Sequence, residues 1–321
     1  MECLAEHPEF FAIELRPNDL NDVLKKIQNE LLQGEASQII LITSGGTKVP
    51  LERVPIRHVE NFSTGKRGAH MCEYFLKKNK RVIFLHRKGT FMPFECHLKC
   101  ATRMDSVRVV DGHVTLSLSE QDNKAVINDA KSYEQFRQNL LCISFESIFD
   151  YGFYLTAICD LLNQDWRGRQ EVGLTTMDVN TNGVSLVPHL VILCAAVSDF
   201  YIPFAELSNH KIDSETNATL SFRMQLVPKL YKLTRKYFPL LNLCTFKLED
   251  NEQTLLSKSN ERICFADILV ANLLDQRYTS AFIFTGKDHF FKLTTSNESE
   301  RIEDAICRYL CKYFGIPVTD Q

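Results

Sequence analysis

The sequence predicts an α/β fold, a doubly wound, mostly parallel Rossmann-like sheet carrying an inserted hairpin region. Three observations predict it. Short apolar runs recur along the chain at 39–43, 81–86, 190–194, 243–246, 268–271 and 281–284, each the length of a strand buried on both faces. Segments with helical periodicity separate them, as a parallel sheet with crossover helices requires. Candidate loops then fall where strands end, at 44–48, 195–200, 247–251 and 272–275, on the rim where open α/β sheets bind ligands.

The elements are taken in chain order. Leu20, Val23, Leu24, Ile27 and Leu31 share one face of an amphipathic helix over 19–32, with Gly34 as its stop. The first strand leads through a loop at 61–68 to a helix over 66–78 and the strand at 81–86, a right-handed βαβ unit. Val107 to Val110 and His113 to Leu116 flank Asp111-Gly112, a strong hairpin signal. Segments 132–140 and 149–162 read as helices. Segment 219–227 alternates like an exposed strand through Leu220, Phe222, Met224 and Leu226, and 228–238 reads as a helix. A helix over 301–314 closes the chain. The expected organisation is one domain over 1–321, with a helical segment at 1–36 and an irregular insertion at about 96–188 that carries dimer contacts.

Composition removes several classes. With 321 residues and 45% hydrophobic content the chain can bury a sizeable core, and a net charge of -3 gives no general reason to bind nucleic acid. No run of about 18 apolar residues predicts a membrane span. The first residues lack the basic and apolar regions of a signal peptide, so a soluble cytoplasmic protein is expected. Among eleven cysteines, Cys72, Cys142, Cys159, Cys194, Cys244 and Cys264 sit in apolar runs and are expected to be buried hydrophobes. Cys96 and Cys100, with His97 between them, lack a second ligand pair, as do Cys307 and Cys311; neither a structural metal nor a disulfide is expected.

Chemistry concentrates in two loops. Thr43-Ser44-Gly45-Gly46-Thr47 follows the first strand, and Asn61-Phe62-Ser63-Thr64-Gly65-Lys66-Arg67-Gly68 opens the next helix. Both are rich in N–H and hydroxyl donors, and backbone N–H groups at a helix start attract anions. A tight turn without a ligand is the plain alternative for Gly45-Gly46 alone. Neither loop is a dinucleotide fingerprint or a Walker A loop, which counts against a nicotinamide oxidoreductase and a P-loop enzyme.

In order along the chain, Thr43 to Glu52, Arg57 to Gly68, Ala195 to Pro203, His210-Lys211-Ile212, Leu226 to Lys229, Thr245 to Glu249 and Val270-Ala271-Asn272 resemble the phosphopantothenate–cysteine ligase family, also called phosphopantothenoylcysteine synthetase. Too few residues precede the first strand for the fused decarboxylase of bacterial members, so the likeness is to the stand-alone eukaryotic type. Thr64 stands where the family shows serine, which keeps the hydroxyl, and the match is loose over 96–190.

The resemblance implies a ligase that joins 4'-phosphopantothenate to cysteine, the second step of coenzyme A synthesis from pantothenate. The substrate carboxylate attacks the nucleotide α-phosphate, giving an acyl-adenylate (or its cytidylate counterpart) and pyrophosphate; the cysteine amine then displaces the nucleotide. ATP is the implied co-substrate, with CTP as the alternative, and Mg²⁺ accompanies the triphosphate. Gly45, Ser63, Gly65 and Gly68 match nucleotide-phosphate positions, and Phe246 and Asn272 surround the base. Asn61 holds the substrate carboxylate and the acyl-nucleotide, for which an uncharged amide is suited. Ala195, Ala196 and Asp199 wall the pantothenate arm. Arg57 reaches the substrate phosphate across a homodimer interface, and Lys211 lies in a flap and stabilises charge during acyl transfer. A decarboxylase partner is a further implied association. The competing reading is a non-catalytic nucleotide-binding homologue that scaffolds such a partner; Asn61 and Lys211 occurring together argue against it.

Overall fold

Strands that read as unbroken apolar runs form where helices cover both faces of a sheet. In the computed structural model, which describes residues 2–33, 37–172, 187–213, 219–295 and 300–317, helix α1 is Leu20–Ile27, strand β1 Ile39–Ser44, α2 Lys66–Lys77, β2 Arg81–Arg87 and α3 Glu120–Phe136. β3 is Leu140–Phe145, α4 Ile148–Glu171, β4 Leu190–Leu193, α5 Leu230–Tyr237 and β5 Asn242–Glu249. α6 is Glu252–Arg262, β6 Ile268–Leu273, β7 Ser280–Gly286, β8 His289–Thr294 and α7 Ile302–Tyr313. Among the described residues, one sheet of eight strands runs in the order β8-β7-β6-β5-β4-β1-β2-β3. Pairing is parallel from β6 through β3, and β7 and β8 add antiparallel strands at one edge. This is the doubly wound, mostly parallel architecture expected.

Alternation along each strand builds two cores. Leu41, Ile83, Ile143, Val191 and Leu243 face α1, α4 and α5. Ile40, Ile42, Ile192, Ile268 and Val270 face the buried stripes of α2 and α7. Chain order reverses between β1 and β4, where the loops beyond the strand ends diverge and leave a crevice.

Local chemistry sets the long helix α4. The Ser147 hydroxyl accepts from the Asp150 N–H at 3.0 Å, and the Asp150 carboxylate accepts from the Ser147 N–H at 2.9 Å, a capping box. At the opposite end of the sheet His189, fully buried, accepts the Ile39 N–H on Nδ1 at 2.9 Å. Its Nε2 therefore carries the proton and donates to Asp165 on α4 at 2.9 Å. Burial pushes the His189 imidazole below its ordinary pKa.

Several expectations need correction. The helix expected over 132–140 starts earlier, as α3, and ends at Phe136. The chain then enters β3, whose alternating exposure buries Leu141, Ile143 and Phe145 on one face at the sheet edge. Strand β8 is also absent from the sequence reading; it is an exposed edge strand whose polar positions conceal it. Of the expected strand over 219–227 only Gln225–Leu226 pairs, with Phe200–Tyr201, because Leu220, Phe222 and Leu226 remain exposed with no core to cover them. The hairpin forms as expected, Val107–Val110 against His113–Leu116, with Asp111 and Gly112 at φ 50° and 78°. Cys142 and Cys264 are exposed and Cys194 half-buried, whereas Cys72, Cys159 and Cys244 are buried. Gly34 lies outside the described residues.

Candidate active site

The crevice is floored by two loops tied to each other. The Ala196 N–H donates to the Gly45 carbonyl at 2.8 Å, and the Thr47 N–H returns to the Ala196 carbonyl at 3.1 Å. Hydroxyls reinforce the seam: Thr43 Oγ1 accepts the Ala195 N–H at 3.2 Å and Thr47 Oγ1 accepts the Ser198 N–H at 2.9 Å. Asn61 is locked onto both loops, since its N–H donates to the Thr47 carbonyl at 3.2 Å and its Nδ2 to the Val197 carbonyl at 3.1 Å. Gly46 is what allows this approach, because a Cβ there would stand 1.7 Å from the Asn61 carbonyl oxygen.

The N-terminus of α2 forms the next wall. Gly65 precedes it at φ 77°, a left-handed conformation that favours glycine, and its carbonyl accepts the Ser44 hydroxyl at 2.9 Å. The Gly65 and Lys66 amides reach the Ser63 and Thr64 hydroxyls only at 3.4 Å, so the start of this 12-residue helix retains N–H capacity for an anion.

A cleft of about 770 Å³ opens above these loops. Asn61, Ser63, Gly65, Ala195, Ala196, Asp199 and Phe246 all line it, so the fold brings together seven of the expected site residues. Gly45, Gly68 and Asn272 stand behind the lining: a Cβ on Gly45 would meet Arg87, and one on Gly68 would meet Ser44. Asn272 is buried, and its Oδ1 accepts from Arg67 Nη1 at 2.8 Å. Arg67 also donates to Glu303 at 3.3 Å and to the Arg277 carbonyl at 2.5 Å, with its guanidinium carbon 5.5 Å from the Phe246 ring centre. Burial presses the Glu303 carboxyl upward, but His70 and the Arg67 charge outweigh it and hold its pKa below the ordinary value. Asp199 is paired with Lys229 at 2.5 Å.

Arg57 and Lys211 do not line the cleft. Arg57 is bound through its backbone N–H and its guanidinium to Glu52, a carboxylate that solvent does not reach. The same carboxylate accepts the Ile212 N–H at 3.0 Å, beside Lys211. The Ile212 hydrogen bond is the first cause of a lowered Glu52 pKa, ahead of the opposing effect of burial. The sequence reading missed Arg67, Glu52 and the cleft-lining Arg262. Arg67 and Glu52 lie inside segments already singled out, but nothing in local spacing announces their partners.

A ligase from Homo sapiens named phosphopantothenate–cysteine ligase is 32% identical to this chain over 276 residues, covering 83% of the chain and 82% of the relative. The chain belongs to the phosphopantothenate–cysteine ligase family. Phosphopantothenate–cysteine ligase 1 of Arabidopsis thaliana is 31% identical over 245 residues, covering 73% of this chain and 68% of its own length. A solved structure of a Cab2 mutant in complex with phosphopantothenate-cysteine superposes with a TM-score of 0.77 at 25% identity, covering 96% of this chain and 97% of that one. No family model matches the chain. Its place among phosphopantothenate–cysteine ligases therefore rests on whole-length likeness rather than on one motif.

Proposed function

We propose that this chain joins 4'-phosphopantothenate to cysteine at the β1–β4 cleft. The reading rests on family membership, and the seven expected residues gathered around one crevice are the observation that carries the site. In the first step a carboxylate oxygen of phosphopantothenate forms a bond to the nucleotide α-phosphorus while pyrophosphate leaves. In the second, the neutral cysteine amine attacks the acyl carbon, the acyl carbon–oxygen bond to the nucleotide phosphate breaks, and one amine proton passes to solvent while the other stays on the amide nitrogen. None of the chain's own cysteines takes part.

Each side chain has a physical task. Asn61, held by Val197 through one N–H, has a second N–H for the substrate carboxylate and carries no charge that would trap the intermediate. The amides around Ser63, Gly65 and Lys66 and the dipole of α2 meet nucleotide phosphates. Phe246, backed by Arg67, offers an aromatic face to the base, with Asn272 holding Arg67 from behind. Gly45 and Gly68 keep the phosphate loops close-packed, and Ala195, Ala196 and Asp199 border the pantothenate arm. Arg57 meets the substrate phosphate from a second copy in a homodimer, and Lys211 stabilises charge during acyl transfer. ATP is the proposed nucleotide, with CTP as the alternative. Mg²⁺ belongs to that substrate: among the described residues the carboxylates lining the cleft are Asp199 and Glu261, and Asp199 is committed to Lys229, so phosphate oxygens and water supply most of its ligands. The proposed setting is cytoplasmic, with a phosphopantothenoylcysteine decarboxylase as an associated enzyme; among the described residues no helix is long and apolar enough to cross a membrane.

Pyrophosphate release by the purified protein tests this, with ATP or CTP, Mg²⁺ and phosphopantothenate, with and without cysteine. Release that requires phosphopantothenate and turns over repeatedly with cysteine is expected. A folded protein that releases none with either nucleotide refutes it.

A further inference from the structure

Helix α6 ends in a guanidinium that the fold leaves unanswered. Arg262 lines the cleft, and its Nε is shut off from solvent without a hydrogen-bond partner. The guanidinium carbon lies 4.1 Å from the Tyr231 ring centre, and that ring packs edge-on against Phe265 at 6.2 Å, so an aromatic wall sets the plane of the fork. Three other cations of the cleft are answered by carboxylates, Lys229 by Asp199 at 2.5 Å, Lys258 by Glu249 at 2.9 Å and Arg67 by Glu303 at 3.3 Å, while Lys232 lies over the Phe265 ring and Arg277 donates to the Leu274 carbonyl. Among the described residues no carboxylate lies within ion-pair distance of Arg262, and Asp199, already paired with Lys229, acts on it only from farther off. Burial lowers its pKa, as desolvation of a cation must, yet a guanidinium stays charged at any physiological pH. A desolvated charge without a counter-charge destabilises a fold, and such groups concentrate where a ligand supplies the missing partner.

The identity of the anion is set by the reactants, so this inference rests on the ligase reading. Four anionic groups arrive: the nucleotide phosphates, the phosphate of phosphopantothenate, its carboxylate, which Asn61 meets, and the carboxylate of cysteine. The first meet the start of α2, and the second is assigned to Arg57, away from the cleft. The amino-acid carboxylate is left without a partner. A planar carboxylate matches the arginine fork through two parallel N–H···O bonds, a geometry that a lysine cannot offer. We propose that Arg262 binds the α-carboxylate of the cysteine substrate and so selects an amino acid over a simple aminothiol.

Cysteamine, which has the thiol and amine of cysteine but no carboxylate, provides the test. Wild-type protein is first assayed for the phosphopantothenate-dependent burst of pyrophosphate without a thiol, then for kcat/KM with cysteine and with cysteamine. In Arg262→Met the burst persists, kcat/KM for cysteine falls roughly 10- to 100-fold, the range expected for a lost charge-assisted pair, and the value for cysteamine stays level. The preference for cysteine thus collapses, and Arg262→Lys falls between. Because a half-buried cation without a carboxylate partner is being removed, the Tm of Arg262→Met holds or rises. If Arg262 instead serves the phosphate, the variant raises KM for phosphopantothenate and narrows its advantage over pantothenate, while the thiol preference is retained; that overturns the proposal. A parallel fall in Tm and in every kinetic constant, marking a structural role, overturns it too. Absence of any burst from wild-type protein refutes the ligase reading itself, before a variant is made, and this assignment with it.

Discussion

Gly46→Ala isolates the geometry on which the site depends. The residue does not occupy the left-handed region, so an added methyl brings no backbone strain, only contact. That contact is severe: the new Cβ would lie 1.7 Å from the Asn61 carbonyl oxygen and 2.9 Å from its carbonyl carbon. An unstrained contact needs roughly 3.5 Å, so the Asn61 peptide must withdraw by more than about 1 Å or the β1 loop must lift off the Ala196 loop. Either movement carries the Asn61 amide with it. A misplacement of about 1 Å at reacting groups costs on the order of 100-fold in rate, whereas overpacking costs roughly 1–3 kcal/mol of stability. The expected variant is folded, with a Tm lowered by several degrees and kcat for pyrophosphate release lowered about 100-fold. Circular dichroism melts and a coupled pyrophosphate assay measure both. A variant with parental kcat would refute the claim that Asn61 must be held where this loop holds it.

Three further outcomes are expected. Gly168→Ala, on a turn of α4 where an added Cβ meets no atom within 4 Å, stabilises the protein by about 0.5–1 kcal/mol by helix propensity; a urea midpoint that falls or stays put contradicts this. Glu52→Gln removes the charge that holds both Arg57 and the Ile212 N–H, so kcat falls and KM for phosphopantothenate rises while KM for the nucleotide is unchanged; equal change in both KM values points away from this role. His189 binds its proton more weakly folded than unfolded, since burial depresses it from 6.5, so the unfolded chain takes up more protons as pH falls below that value. Stability is fully present above that value and declines below it toward the folded pKa. His189→Gln should flatten this part of the urea stability profile, and an unchanged slope assigns it to other groups.

The sheet's interior was legible because a strand covered on both faces has little choice of residue: Ile39 to Ile42 and Ile268 to Ala271 read as strands at sight. Its edges were not. β3 buries alternate residues and its apolar start, Leu140 to Ile143, runs on directly from a helical segment, while β8 is exposed at most positions, so neither reads as the isolated apolar run of a strand covered on both faces. The site divides in the same way. Its loops could be read because glycine and hydroxyl residues mark where backbone must approach backbone, but its charges could not. Arg57, Arg67 and Arg262 are equivalent as letters. One is paired with Glu52 only five residues away, one with Glu303 at a separation of 236 residues and held by Asn272 at 205, and one has no carboxylate within ion-pair distance among the described residues. What an arginine is free to do depends on the carboxylates left over after folding, and that remainder is set by long-range pairing. An arginine left free of ion pairs at the cleft therefore sits in a sequence neighbourhood, Asn260-Glu261-Arg262-Ile263, that looks like an ordinary helix end.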